Sequence, residues 1–146
     1  MEKLKIENAK ICSKNFSGRP GDYNKSGIRS FSIQFDEEDA LELIDAGWNI
    51  SRRPGKEAGD PDRFFLNVTV RFGNIPPKIV LVTSKNKTVL TEETVGTLDG
   101  TYIVNADIVL NKRYWEVNGK SGYKAYLKTG YFTIEEDEFA EKYDYI

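Results

Sequence analysis

Hydrophobic positions in this chain alternate with polar ones far more often than they recur at helical spacing. In IRSFSIQF (28–35), Phe31, Ile33 and Phe35 fall on one side of an extended segment, because successive strand side chains point to opposite faces. FFLNVTVRF (64–72) repeats the pattern. Phe64, Leu66, Val68, Val70 and Phe72 form an apolar face, leaving Phe65, Asn67, Thr69 and Arg71 on the other. Residues 3–16 read as a first strand. KIVLVTS, after Pro76-Pro77, is a continuous apolar run of the kind covered on both sides, and LDGTYIVNADIVL opens a last β section.

One stretch breaks the two-residue period. DEEDALELIDAG (36–47) predicts a three-turn helix, with Asp36 as cap, acids in the first turn and Gly47 as the left-handed stop. Ala40, Leu41 and Ile44 supply its apolar stripe. TEETVGTL adds a short helical turn capped by Thr91, while SGRPGDYNKSG (17–27) and RRPGKEAGDPD (52–62) read as polar loops. Many short strands with one or two helices indicate a mainly β, β-rich α+β domain, a small barrel or sandwich.

The end of the chain carries the most specific pattern. In NKRYWEVNGKSGYKAYLKTGYF (111–132), two strand-like runs flank NGKSG. With all five residues as loop, Val117 pairs with Tyr123, Tyr114 faces Tyr126 and Lys112 faces Lys128. Trp115, Val117, Tyr123, Ala125 and Leu127 then form a core-facing surface, with Arg113 at its margin. Lys112, Tyr114, Glu116, Lys124, Tyr126 and Lys128 point outward. Neighbouring tyrosines fenced by lysines make a platform on which bases stack while phosphates find cations. A like-charge pair costs stability unless something anionic lies over it. A solvated sheet face would carry similar residues, since lysine also guards strand edges and tyrosine is a good β former. Outward Phe65 and Arg71, with Arg63 in phase, and cations at Arg29 and in the loops (Arg19, Lys25, Arg52, Arg53, Lys56) extend the candidate surface.

Composition narrows the chemistry. The 146 residues suffice for one domain with its own core, and 39% hydrophobic with 30% charged residues is a soluble profile. No apolar run approaches a membrane span and the opening MEKLKIENAK lacks a signal core, so no membrane association is expected. A single cysteine, Cys12, and no histidine exclude an internal disulfide, a conventional zinc site and an imidazole base; Cys12 reads as a structural thiol. No metal, cofactor or catalytic residue is assigned, and the chain is not expected to be an enzyme. The net charge of −2 conceals an asymmetry. EEDEFAEKYDYI (135–146) has six acids and one lysine, and the remaining body is net positive, a mild pointer to a polyanionic partner. The expected organisation is a binding domain over 1–134 and an acidic, aromatic-ended tail over 135–146. Glu135, Glu136, Asp137, Glu138, Tyr143 and Tyr145 would fold back on a cationic groove or dock partner proteins; a short helix packing Phe139 is the alternative.

Together, KNFSG, DYNKSGIRSFSIQFDEEDALELIDAGWNI, PPKIVLVTS and ADIVLNKRYWEVNGKSGYKAYLKTGYFTIEEDEFAEKY make the chain resemble a family of single-stranded DNA-binding proteins from the replication modules of tailed bacteriophages. GWN and WEVNGKSGYKAYLK are the distinctive parts. The resemblance implies an OB-like barrel without enzymatic activity, protecting single strands in replication or recombination. It also implies replication or recombination proteins recruited through the tail. A homodimer is allowed as a further partner, and with nothing in the sequence directing the chain elsewhere the expected location is the cytoplasm, the host's for a phage-encoded chain. The competing reading is a phage interaction module or inhibitor that grips a host protein with the aromatic hairpin. A carboxylate-metal enzyme is a third reading, but no acid cluster supports it.

Overall fold

The computed structural model describes residues 3–21 and 27–135. Its elements run β1 (Lys3–Ile6), β2 (Lys10–Asn15), β3 (Ser30–Phe35), α1 (Glu37–Asp45), β4 (Ile50–Arg53), β5 (Arg63–Thr69), β6 (Lys78–Val82), β7 (Lys87–Leu90), a 3-10 helix (Val95–Gly100), β8 (Ile103–Val117) and β9 (Lys120–Ile134). The strands form one sheet in the order β1-β8-β9-β5-β3-β2, with β4 on β5 and the β6–β7 pair on β9.

The sheet path is open, yet its two ends are consecutive pieces of chain. The stretch read as one strand over 3–16 is two. β1 pairs with β8 and β2 pairs with β3. Between them Asn8 takes φ 51°, a left-handed value that asparagine tolerates better than most residues and that interrupts the pleat. Its N–H donates to Asp107 Oδ1 at 2.9 Å, and the Ala9 N–H donates to the Ala106 carbonyl at 2.7 Å, pinning the corner to β8. A covalent bend therefore completes the ring that hydrogen bonds leave open. The OB-like, β-rich fold expected from the sequence is the fold observed.

The core is the set of inward positions of these strands. Phe31 and Ile33 of β3, Phe64, Leu66 and Val68 of β5 with Val70 beyond it, and Ala106, Ile108 and Leu110 of β8 are all buried. At its centre Phe16, Phe31 and Phe132 pack as a trio, stacked at 5.2 Å (16–31) and edge-on at 5.5 Å (16–132) and 6.1 Å (31–132). Gly130 makes room for this. A Cβ there would come within 2.4 Å of Phe132 Cε2.

The helix begins as expected, with Asp36 Oδ1 accepting from the Asp39 N–H at 2.8 Å. It ends in a Schellman motif around Gly47 (φ 92°). The Trp48 N–H reaches the Leu43 carbonyl at 2.9 Å, and the Gly47 N–H reaches that of Ile44 at 3.0 Å. The apolar stripe differs from expectation. Ala40 is buried and Leu43 packs on the core, while Leu41 and Ile44 are exposed, because the cap and stop fix which side of so short a helix meets the sheet.

Two strands went unread in the sequence. β4 takes in Arg52 and Arg53, expected in a loop, and β7 is a short edge strand on β6. The remaining 54–62 segment folds tightly on itself, since a Cβ on Gly55 would meet Asp60 and Pro61 at 2.5–2.8 Å. The turn after Thr91 exists as the 3-10 helix, but the Thr91 carbonyl, rather than its hydroxyl, receives the Val95 N–H (2.9 Å). Within that helix Asp99 accepts from the Phe16 N–H (2.7 Å), the Ser17 N–H (3.0 Å) and the Ser17 hydroxyl (2.7 Å).

Gly130→Ala should lower unfolding free energy by about 1–3 kcal/mol in urea titration, the usual cost of overpacking a filled core. Asp99 provides a pH test. Burial would raise its carboxyl, but the three donors outweigh that and hold it below the ordinary value. A depressed folded pKa gives stability present above the unfolded value, near 4, and lost as pH falls through the folded one. Wild type should therefore lose more stability than Asp99→Asn as pH drops below about 4.

Candidate nucleic-acid interface

The alternation that buries Phe64, Leu66 and Val68 turns Arg63, Phe65, Asn67 and Thr69 outward, and the ladders extend that face sideways. On β3, Gln34, Ser32 and Ser30 lie opposite Phe65, Asn67 and Thr69; on β4, Ser51 and Arg53 lie opposite Phe65 and Arg63. Phe65 thus sits among small polar neighbours with two guanidiniums over its ring, Arg53 at 5.3 Å and Arg63 at 5.6 Å. Beyond Thr69 the face passes to β9 through the parallel pair Thr69–Tyr126, and from there to Asn111 and Arg113 of β8. Arg113 stacks over Tyr126 at 5.2 Å. A cavity of about 350 Å³ is lined by Ser30, Asn67, Thr69 and Lys124 of this face among others. From Gln34 and Ser51 across to Asn111 and Arg113, no position that the ladders place on this face is Asp or Glu; Asp107, outward on β8, lies beyond Val109 at the other end of that strand. Among the described residues, the ion pairs are Lys5–Glu7, Arg29–Glu92 and Arg52–Asp62, so none occupies a cation of this face.

The hairpin register differs from the one expected. Asn118 (φ 51°) and Gly119 (φ 77°) form a two-residue turn with both central residues left-handed, and Val117 pairs with Lys120. That geometry matches strand twist, so Lys120 and Ser121 continue the ladder rather than looping out. Tyr114 consequently lies opposite Tyr123, Arg113 opposite Lys124, and Lys112 opposite Ala125. Tyr126 and Tyr114 are on opposite faces. The Lys112–Lys128 pair does not form.

Of the predicted site residues, Phe65, Arg63, Lys124 and Tyr126 share the outward face, with Arg71 exposed at its end. Lys128 falls between the pairs Leu110–Leu127 and Val109–Thr129, as the extra residue of a bulge. Hydrogen bonding with Lys3 and, next, like-charge repulsion from that ammonium pull its pKa below the ordinary lysine value. Lys3 stands opposite Asn111, so two cations meet at the margin of the face.

Lys112 and Tyr114 belong to the other side of the hairpin. Lys112 Nζ donates to the Ala46 carbonyl at the end of α1 and lies 5.4 Å over Trp48 and 4.9 Å over Tyr123. Tyr114 packs edge-on to Tyr123 at 5.5 Å and its hydroxyl donates to Glu116 Oε2 at 3.0 Å. Arg29 is a strut: Nη1 donates to the Phe16 carbonyl at 2.9 Å, beside Phe72. Lys25 and the predicted tail residues from Glu136 to Tyr145 lie outside the described residues. Glu135 is exposed, its N–H bonded to the Tyr102 carbonyl at 2.8 Å.

Arg113 and Lys3 were missed as site residues, and Arg53 was placed in a loop. Extending the alternation of buried Ala106, Ile108 and Leu110 along β8 would have found Arg113, because it puts even numbers inward and odd numbers outward. Cys12 is half-buried, its Sγ 3.6 Å from the Ser32 carbonyl, and burial pushes its thiol pKa up. Among the described residues no three Cys, Asp or Glu side chains assemble into a metal-holding group.

A family model described as "Putative phage ssDNA-binding domain" matches residues 1–146. The chain belongs to that family. Its fold is similar to the solved single-stranded DNA-binding protein of bacteriophage Enc34 in complex with ssDNA, at 11% identity and TM-score 0.55, covering 94% of this chain and 89% of that one. A second structure of the Enc34 single-stranded DNA-binding protein gives 10% identity and TM-score 0.54, over 97% and 86% of the two chains. At such identities the likeness is one of fold. No curated protein matches the sequence. This is a phage single-stranded DNA-binding protein by family, and its outward face carries aromatic rings and cations together. No helix among the described residues is long and apolar enough to cross a membrane.

Lys112→Gln separates structural from binding roles. Loss of the cation at the end of α1 should lower stability by about 0.3–1 kcal/mol in thermal melts, while the salt slope of DNA binding stays unchanged.

Proposed function

We propose that the chain binds single-stranded DNA without sequence preference across the outward face of β3, β5, β4 and β9, as a strand-protecting protein of phage replication and recombination. The observation that carries this reading is the placement of Phe65 and Tyr126 on one outward face, each with arginine stacked on its ring. Bases stack on the rings; Arg53, Arg63, Arg71, Arg113, Lys124 and Lys128 take the phosphates. Every base has a π face, so the surface accepts any sequence, and cation–phosphate contacts make affinity fall with salt. The small Ser and Thr side chains between the rings let the sugar–phosphate chain approach closely.

The segment 135–146 acts in this reading as a separate acidic tail. Its six carboxylates compete with DNA for the cationic face, and its aromatic end presents a docking peptide to replication or recombination proteins of the host cytoplasm.

Fluorescence anisotropy with labelled oligo-dT tests both parts. Phe65→Ala and Tyr126→Ala should each weaken binding by about 1–3 kcal/mol, whereas Tyr114→Ala should leave it near wild type. Equal affinity for duplex and single strand, or full binding by the Phe65→Ala/Tyr126→Ala double variant, would sink the assignment of the face. Residues 1–134 should bind more tightly than the full chain, most clearly at low salt; identical curves would retire the tail as competitor.

A further inference from the structure

At the far end of the outward face, where the chain leaves β5, lies a second cavity of about 440 Å³, within the roughly 300–1,000 Å³ typical of ligand sites. Its lining includes Tyr126, Arg113, Arg71, Asn111 and Ile75, and contains no carboxylate. Ile75 is the feature that the strand-binding reading leaves unexplained. It is 83% exposed, the most exposed of the molecule's large apolar side chains among the described residues. It is also held stiffly. It precedes Pro76-Pro77, so its backbone is restricted to extended conformations, its β-branch limits χ1, and Pro77 is buried as an anchor. A rigid, water-exposed isoleucine at the mouth of a cationic, aromatic cavity has no role in packing the fold.

The wall chemistry selects the occupant. Tyr126, carrying Arg113 on its ring at 5.2 Å, supplies a stacking surface; Arg71 and Arg113 supply charge for phosphate. Asn111 Oδ1 is buried in the wall without a hydrogen-bond partner, an acceptor that a donor drawn into the site would satisfy. The cavity beside α1, by contrast, is lined with Glu7, Asp39 and Glu42 and would repel a polyanion.

We propose that the Tyr126–Ile75 cavity is a single-nucleotide subsite. One base of the bound strand is drawn out of its run and held between Ile75 and the Tyr126–Arg113 stack, with Arg71 and Arg113 on the flanking phosphates. The subsite rests on the strand-binding reading and adds a fixed point to it. Apolar side chains serve as wedges between bases in other nucleic-acid complexes, and here the wedge is supplied by a loop rather than a strand.

Because Ile75 is exposed, its replacement leaves folding intact, and the full-length chain can be used throughout. Ile75→Ala should weaken oligo-dT binding about 5- to 10-fold and Ile75→Asp more, with the Ala variant keeping the wild-type salt slope, since no phosphate contact is removed. Photocrosslinking of oligonucleotides carrying 5-iododeoxyuridine, mapped by mass spectrometry, should label Tyr126 in wild type and lose that label in Ile75→Asp. If Ile75→Asp binds and crosslinks as wild type does, or if wild type labels Phe65 and never Tyr126, the subsite is overturned while the outward face survives. Wild type that binds no oligonucleotide overturns both.

Discussion

The ladder between β8 and β9, fifteen residues on each strand, is the constraint on which the other features depend. Along one edge β9 is paired to β8 for its whole length. Along the other it passes from β5 to β6, in parallel pairings that place Tyr126 beside Thr69 and Phe132 beside Leu81. A strand with period two cannot by itself turn Ala125, Leu127, Gly130 and Phe132 all toward one core, because 127 and 130 have opposite parity. The bulge at Lys128 resolves this by inserting one residue. Below it, odd positions face the core; above it, even ones do. The same inserted residue brings Lys128 to Lys3 and leaves Tyr126 outward next to Arg113.

The aromatic residues divide into two populations with different tasks. Phe16, Phe31 and Phe132 hold one another in the centre, where contact with carbon and exclusion of water provide the stabilisation. Phe65 and Tyr126 lie on the opposite side of the sheet, half-buried, each with a guanidinium on its ring. Such a pair is attractive but incomplete, since the cations retain donors for a partner. A ring already flanked by arginine is oriented before a base arrives, which reduces the side-chain ordering that binding requires.

The hairpin extends past the core and is secured at its root by α1. The Schellman stop at Gly47 turns the chain so that Trp48 enters the core, and the freed carbonyl of Ala46 receives Lys112. A Cβ at Gly47 would come within 2.9 Å of Lys112 Nζ, so glycine is required both by its backbone angle and by this approach. The GWN element is therefore the joint between helix, core and hairpin. Lys112, which in isolation reads as a phosphate ligand, is consumed in making that joint.

Much of this molecule is written locally. The alternation of residues 28–35 and 64–72 determined which side of each strand is buried, and it placed Phe65 and Arg71 outward before any pairing was known. Asp36 and Gly47 determined the ends of α1, because caps act through backbone groups only one to three residues away. What the sequence could not determine was register and partnership. Asn118-Gly119 was legible as a turn, but whether the turn consumed two residues or five depended on how twisted strands meet. The apolar Trp115 and Val117 misled because they lie on an arm with no core behind them, so their hydrophobicity marks no inward face. The union of Phe65 with Arg53, of Tyr126 with Arg113, and of Ile75 with that pair joins residues far apart in the chain. The first two unions are set by the β4–β5 and β8–β9 registers and the third by the parallel meeting of β5 with β9, since strand pairing, and not local sequence, sets the distance between side chains that share no local neighbour.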